Sequence, residues 1–192
     1  MSHPCDKFFA ITGPEGAGKT TLIAELSKRG LATVPESTRD VWRYQARIGG
    51  PNVVFLGGTA EQKRAYFEMA LALDMRMHDD AAHLSGPVFF DRAMPDLAVF
   101  MDFFTVPMPE HIHRGITMHR YNPVTFLAPF WPEIYAHDPE RLSSPEEAAS
   151  QEQICRDAYA RYGYEVVTLP LASPEERADF VQQFVARVLK KQ

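Results

Sequence analysis

The chain has 192 residues, 45% of them hydrophobic and 23% charged, which excludes wholesale disorder and provides for one core of ordinary size. That length sets one domain, or one domain with a small insertion. Twenty Lys and Arg against 25 Asp and Glu leave a formal charge of −5, which argues against a protein that lives on a nucleic-acid backbone. The basic residues divide into 14 Arg and 6 Lys, with no lysine between Lys63 and Lys190. A planar guanidinium suits bidentate phosphate contacts, and a GC-rich coding sequence is the bland explanation of the same bias.

In chain order, KFFAIT (7–12) is a short apolar run ending at Gly13 and reads as a buried strand. GPEGAGKT (13–20) follows as a glycine-rich turn, and TLIAELSKRG (21–30) as a helix that stops at Gly30. LATVP (31–35) is a second strand, closed by Pro35, and 36–47 reads as a helix. GGPNVVFLGG (49–58) is a loop between glycine pairs. From Thr59 to about His83 there is no Gly or Pro, and Tyr66, Phe67, Ala70, Leu73 and Met77 recur at helical spacing. Thr59 with Gln62 has the form of a capping box.

PVFFD (87–91) is a third buried strand, followed by a helix from Pro95 through Phe104. Residues 105–123 break regular pattern, as an excursion or a short helix. VTFLAP (124–129) is a fourth strand, and the polar, proline-punctuated stretch 131–148 reads as a flap. A helix to about Arg161, a fifth strand at 163–170 and a closing helix from Pro174 to Lys190 complete the chain. Strands alternating with helices predict right-handed crossovers, a parallel sheet and helices on both faces.

Cys5 and Cys155 show no metal-ligand spacing and no disulfide framework, so a reducing, cytoplasmic setting is expected. The start, MSHPCDK, has neither the basic nor the apolar region of a secretory signal, and the longest apolar runs fall short of a membrane span. His111, His113 and His119 are dense but lack a Cys or acidic partner at metal-ligand spacing.

The residues Gly13-Pro-Glu-Gly-Ala-Gly-Lys-Thr20 fit G-x-x-x-x-G-K-[ST] between a strand and a helix, the context a phosphate cradle requires. Gly13, Gly16, Ala17, Gly18, Lys19, Thr20 and Thr21 are therefore the candidates for binding a nucleotide. The glycines let successive N–H groups turn inward, Lys19 reaches the β- and γ-phosphates, and the Thr20 hydroxyl can ligate Mg²⁺. Glu15, within the loop, is expected to be exposed.

Two carboxylates stand at strand ends on the phosphate side. Glu36, in PESTR (35–39), reads as a general base, an anchor for an acceptor hydroxyl, or simply a helix N-terminal carboxylate. Arg39, one turn on, faces phosphate or substrate or else solvent. Asp91 ends FFDR (89–92) and is the candidate for orienting Mg²⁺ together with Thr20, with Arg92 beside it for phosphate or substrate; a helix-capping Asp is the alternative. Asp96 reads as a first-turn carboxylate that suits the helix dipole. Arg141, in HDPERLSS (137–144), would neutralise charge developing in transfer, or form a solvated salt bridge. Arg76, Arg114 and Arg120 are further candidates for an acceptor pocket.

With these residues the chain resembles the predicted P-loop ATPase/kinase family that includes ribosylnicotinamide kinase domains, and more distantly the thymidylate, cytidylate and other nucleoside and nucleoside-monophosphate kinases. The matching pieces are GPEGAGKTTL (13–22), the PExxR element (Pro35, Glu36, Arg39), FFDRAMPD (89–96), FWPEIYAHDPER (130–141) and YGYEVVTLP (162–170), in family order across nearly the whole chain. Ala93 departs from the glycine common in relatives after the Asp-Arg pair. The resemblance implies a single α/β domain over 1–192, a P-loop NTPase of three α/β/α layers. Its five-stranded parallel sheet would have order 2-3-1-4-5, with acceptor-region excursions near 49–85 and 105–123 and a flap near 131–148. It implies ATP and Mg²⁺ as cofactors, with Lys19, Glu36, Asp91, Arg92 and Arg141 catalytic and Thr20 and Asp91 on the metal. The acceptor it suggests is a nucleoside or nucleotide. A nucleotide-dependent regulatory ATPase with a protein partner is the competing expectation. Neither nucleic acid nor membrane is expected as a partner, and a homodimer stays open.

Overall fold

The computed structural model describes residues 4–50, 58–135 and 144–190. After a 3₁₀ turn at Pro4–Lys7 come β1 (Phe8–Thr12), α1 (Lys19–Lys28), β2 (Ala32–Val34), α2 (Ser37–Arg47) and α3 (Ala60–Ala81). β3 (Val88–Asp91), α4 (Pro95–Phe103), α5 (Glu110–Met118) and β4 (Val124–Leu127) follow. A second 3₁₀ turn (Pro132–Ile134), α6 (Pro145–Arg161), β5 (Glu165–Thr168) and α7 (Pro174–Leu189) close the chain. The strands form one parallel sheet of order β2-β3-β1-β4-β5, as expected.

Alternation along β1 builds the two cores. Phe8 and Ala10 face a layer that contains Phe67, Leu97, Ile112 and Tyr159, drawn from α3, α4, α5 and α6. Phe9 and Ile11 face the opposite layer, with Leu22 and Leu26 of α1 and Val181 and Val185 of α7. Every residue of β1 is buried, and its sequence is apolar up to the terminal Thr12. Edge strand β5 is half-exposed. Among the described residues no helix is long and apolar enough to cross a membrane. Cys5 and Cys155 are buried free thiols.

One boundary differs from the sequence reading. Residues 145–148 belong to α6 and not to a flap, because Ser144 and Glu147 form a reciprocal capping box with Pro145 at the first helical position. Of the two readings of 105–123, the short helix is the one present, as α5. Thr59 and Gln62 cap α3 as expected. Arg141 lies outside the described residues.

The register sets the site. Asp91 pairs with Ile11, and the Arg92 N–H continues that ladder to the Ile11 carbonyl at 3.0 Å. The carboxyl ends of β1 and β3 thus stop side by side, at the edge where an open parallel sheet leaves a crevice.

Candidate active site

The loop between β1 and α1 is shaped by glycines in the left-handed half of backbone space. Gly13 has φ 139°, and a Cβ there would stand 2.2 Å from the Ala128 carbonyl oxygen, so the residue must be bare. Gly18, with φ 79°, precedes α1 without any side-chain cap. The first turn of α1 carries no acid, whereas α3, α6 and α7 begin with capping boxes and Glu residues. The unspent N–H groups and the helix dipole at α1 therefore face the crevice, ready for an anion.

Lys19 is buried and donates to the carbonyls of Gly13 (2.9 Å) and Pro14 (2.6 Å). Burial, with the nearby Arg92 cation, lowers its ammonium pKa to about 8. Thr20 donates its hydroxyl to Asp91 Oδ2 at 3.0 Å. The other oxygen, Asp91 Oδ1, is buried without a hydrogen-bond partner. Burial, then the charge of Glu36, raises the Asp91 pKa. A hydroxyl and a carboxylate with one orphaned oxygen, side by side at the phosphate loop, fit a hard cation such as Mg²⁺. Ala17 is buried, and Thr21 is exposed on the cleft side of α1.

Glu36 stands at the N-cap position of α2 without a side-chain capping bond and is the meeting point of two arginines. Its Oε1 lies 3.2 Å from Arg92 Nε and accepts the Thr38 hydroxyl at 2.7 Å, while Oε2 lies 3.4 Å from Arg39 Nε. Burial opposes its ionisation, yet Arg92, Arg39 and Lys19 hold its pKa below the ordinary value. Arg92 has φ 64°, unusual for a residue with a side chain, and this turn aims its buried guanidinium between Glu36 and Asp96. The guanidinium also lies over the Phe100 ring, 4.7 Å from its centroid. Burial works against its charge, but Glu36 and Asp96 raise its pKa above the ordinary value.

Several residues play a part that their sequence context did not suggest. Asp96 does stand in the first turn of α4, but it is buried and accepts four hydrogen bonds. The donors are the Thr12 hydroxyl (2.7 Å), Arg92 Nη1 (2.9 Å), the Ala93 N–H (3.0 Å) and the Tyr159 hydroxyl (2.5 Å). Tyr159 comes from α6, four and eight residues after Cys155 and Gln151. Gln151 Oε1 accepts the Glu15 N–H at 3.2 Å, so one stripe of α6 touches both the glycine loop and the Arg92–Asp96 pair. That packing corrects the expectation for Glu15, which is half-buried. Arg177, in the first turn of α7, is buried and donates to the carbonyls of Ala17 (2.7 Å) and Pro170 (2.9 Å). Its guanidinium lies over Trp131.

These elements line one cleft that opens to solvent. It runs from Gly16, Lys19 and Thr20 past Glu36, Arg39 and Arg92 to an aromatic wall of Trp42, Tyr66, Phe67, Phe100 and Phe104. No residue of 105–123 lines it. Arg76, Arg114 and Arg120 do not line it either. Arg76 and Arg114 pair with Asp80 and Glu110 at the surface, and Arg120 lies over Tyr164 and donates to the Tyr162 carbonyl. Among the histidines, His111 meets Glu68, and His113 meets the Tyr162 hydroxyl.

Comparison with known proteins adds the following. The structure is similar to NadR in complex with NR, with TM-score 0.70 and 16% identity over 95% of this chain; it spans about half of NadR, 52% of that chain. It is similar to the deoxyadenosine kinase of M. mycoides with bound dATP, with TM-score 0.60 and 15% identity over 93% of this chain and 99% of that one. The shikimate kinase of Acinetobacter baumannii in complex with shikimate has TM-score 0.55 and 10% identity, over 94% and 93% of the two chains. Likeness at such identity concerns the fold. Among curated proteins none matches the sequence significantly. The AAA domain family profile matches residues 8–177, from the first residue of β1 to Arg177 in α7, and with that span covered the chain belongs to the AAA domain family.

Proposed function

We propose that the protein is an ATP- and Mg²⁺-dependent kinase that transfers the γ-phosphoryl group to a hydroxyl of a small molecule. The observation that carries this reading is a single compartment lined both by the phosphate loop and by Glu36, Arg39, Arg92 and aromatic side chains of α2, α3 and α4. A nucleotide switch or a slow hydrolase needs no such compartment. The likeness of the fold to a deoxyadenosine kinase, a shikimate kinase and NadR in complex with NR supports the same reading.

In the transfer, the acceptor oxygen bonds to the γ-phosphorus as the bond from that phosphorus to the β–γ bridging oxygen breaks. ADP leaves, and the hydroxyl proton passes to Glu36 or to water. A carboxylate whose pKa is held down by two arginines is a weak base, so Glu36 acts mainly as the hydroxyl's anchor. That suffices for a loose transition state, where positioning and charge stabilisation carry most of the catalysis. Lys19 moves from its loop carbonyls to the β- and γ-oxygens. Arg92 and Arg39 face the transferred group, and Arg141 is the proposed flap cation. Thr20 and Asp91 would hold Mg²⁺, which when bound neutralises charge on the phosphate oxygens.

The test is ATP consumption by the purified chain with a panel of nucleosides, nucleoside monophosphates, pyridine ribosides and shikimate. Acceptor-dependent ADP release is expected. In Lys19→Ala it should fall by at least ~10²-fold while the far-UV circular dichroism stays that of the parent. Hydrolysis that ignores every acceptor and responds to a protein partner would overturn the reading.

A further inference from the structure

We propose that Arg177 is a positioning residue of the phosphate loop. From the first turn of α7 it pins the peptide between Ala17 and Gly18, so that the Gly18 N–H is presented to an incoming polyphosphate whose negative charge then offsets that of the guanidinium. The inference rests on the nucleotide-binding part of the reading above, and holds for a kinase or a plain hydrolase alike.

The first observation is the geometry of that peptide. Arg177 Nη1 donates to the Ala17 carbonyl at 2.7 Å and Nε to the Pro170 carbonyl at 2.9 Å, which ties the turn before α7 to the phosphate loop. A trans peptide points its carbonyl and its N–H in opposite directions. With the Ala17 carbonyl held on the Arg177 side, the Gly18 N–H is turned away from it, and Gly18 lines the cleft. A donor on the carbonyl also polarises the same peptide and strengthens its N–H. This peptide needs holding. A flip would change ψ of Ala17 and φ of Gly18, and glycine adopts either sign of φ about equally readily. Gly18 has φ 79°, and a flipped peptide would aim a carbonyl dipole where the phosphate goes. The guanidinium is close by: a Cβ on Gly18 would stand 3.3 Å from Arg177 Nη1 and 3.4 Å from Ile134 Cδ1.

The second observation is an unbalanced charge. Arg177 is 2% exposed, yet among the described residues no carboxylate pairs with it, and its Nη2 has no hydrogen-bond partner. On its own helix Glu175 is exposed, Glu176 accepts the Ser173 N–H in the capping box, and Asp179 pairs with Arg29. The contrast with Arg92 is direct. Both guanidiniums are buried, but Glu36 and Asp96 raise the pKa of Arg92, whereas burial lowers that of Arg177. The face of Trp131, 5.1 Å from the guanidinium carbon, supplies a cation–π contact and no formal charge. A buried cation without a counter-ion is costly, and an anion seated at the loop relieves that cost. A neutral donor would fasten α7 to the two carbonyls without it.

The experiment uses the full chain and two probes, ATP with Mg²⁺ and inorganic tripolyphosphate, titrated by calorimetry well below the unfolding temperature of each variant. Arg177→Met should weaken both ligands by the same factor, about 10-fold, because the lost interaction lies at the phosphates. Arg177→Gln keeps a neutral donor for the Ala17 carbonyl and is the variant to read where Arg177→Met fails to fold; it should weaken both about 5-fold. In the parent protein the Gly18 amide proton should move downfield as tripolyphosphate is added, and a Gly18 amide that ignores the anion overturns the inference. A folded variant that has lost stability in urea but binds tripolyphosphate within about 2-fold of the parent overturns it too, and makes Arg177 a structural fastener. Weaker ATP binding with unchanged tripolyphosphate binding overturns it in favour of a contact to the base. In these three cases the nucleotide-binding reading stands. A parent protein that binds neither probe overturns both, whereas one that binds both and turns over no acceptor removes the kinase reading and leaves the role of Arg177 in place.

Discussion

Asp96 separates two accounts of one carboxylate. As a first-turn residue favoured by the dipole of α4 it would contribute about 0.3–1 kcal/mol. In the structure it instead holds a buried guanidinium and three further donors, Thr12, the Ala93 N–H and Tyr159. Breaking a buried pair by removing one partner costs about 3–5 kcal/mol, and each stranded donor adds roughly 1–3 more, not additively. Asp96→Ala therefore approaches the whole net stability of a domain, about 5–15 kcal/mol, and should fail to accumulate. Asp96→Asn keeps the shape but turns an NH₂ toward donors, and should cost about 2–4 kcal/mol. At about 2–4 °C per kcal/mol for a chain of this size, Tm should fall by about 4–16 °C. Tyr159→Phe, losing one bond, should cost about 1 kcal/mol. Thermal and urea unfolding by circular dichroism, with m unchanged, measure both. An Asp96→Asn protein within 1 kcal/mol of the parent would refute the buried-hub account and restore the dipole one.

Two other perturbations test separate parts of the argument. Burial pushes the Asp74 pKa up to about 7, so the folded state retains a proton that the unfolded chain releases near pH 4. Stability from this group is present at pH 4 and is lost as pH rises toward 7; Asp74→Asn should flatten that decline in urea midpoints measured from pH 4 to 8. An unchanged slope would place the carboxylate in water. Gly13→Ala combines a forbidden φ with a 2.2 Å approach to the Ala128 carbonyl oxygen and should cost about 3 kcal/mol or more. Gly30→Ala, whose Cβ meets nothing within 4 Å, should cost only the left-handed backbone, about 1–2 kcal/mol. Equal urea midpoints for the two variants would contradict the steric account.

The parts of the fold legible in the sequence are those governed by neighbours along the chain. β1 and β3 are buried on both faces, so their apolar runs are continuous, and the glycine loop follows β1 directly. The start of α6 was equally local: Ser144 and Glu147 repeat the spacing of Thr59 and Gln62, but proline and charge in the same stretch read as a flap. The aromatic wall was not legible, because Trp42, Phe67 and Phe100 meet only through the crossing of three helices, and each alone reads as ordinary apolar face. Asp96 was half legible. Its place four residues after Arg92 is local, whereas the arrival of Tyr159 depends on how α6 packs against α4.

The posture of Lys19 has a consequence for how any anion would enter. Its ammonium already sits out of water against the Gly13 and Pro14 carbonyls, so its dehydration is settled when the chain folds and not when a ligand arrives. An incoming polyphosphate only exchanges acceptor oxygens. Because that ammonium loses its proton near pH 8, binding in alkaline solution must bring a proton in with the anion. The observed heat of association would then vary with the ionisation enthalpy of the buffer, which makes calorimetry in paired buffers a direct view of this one side chain.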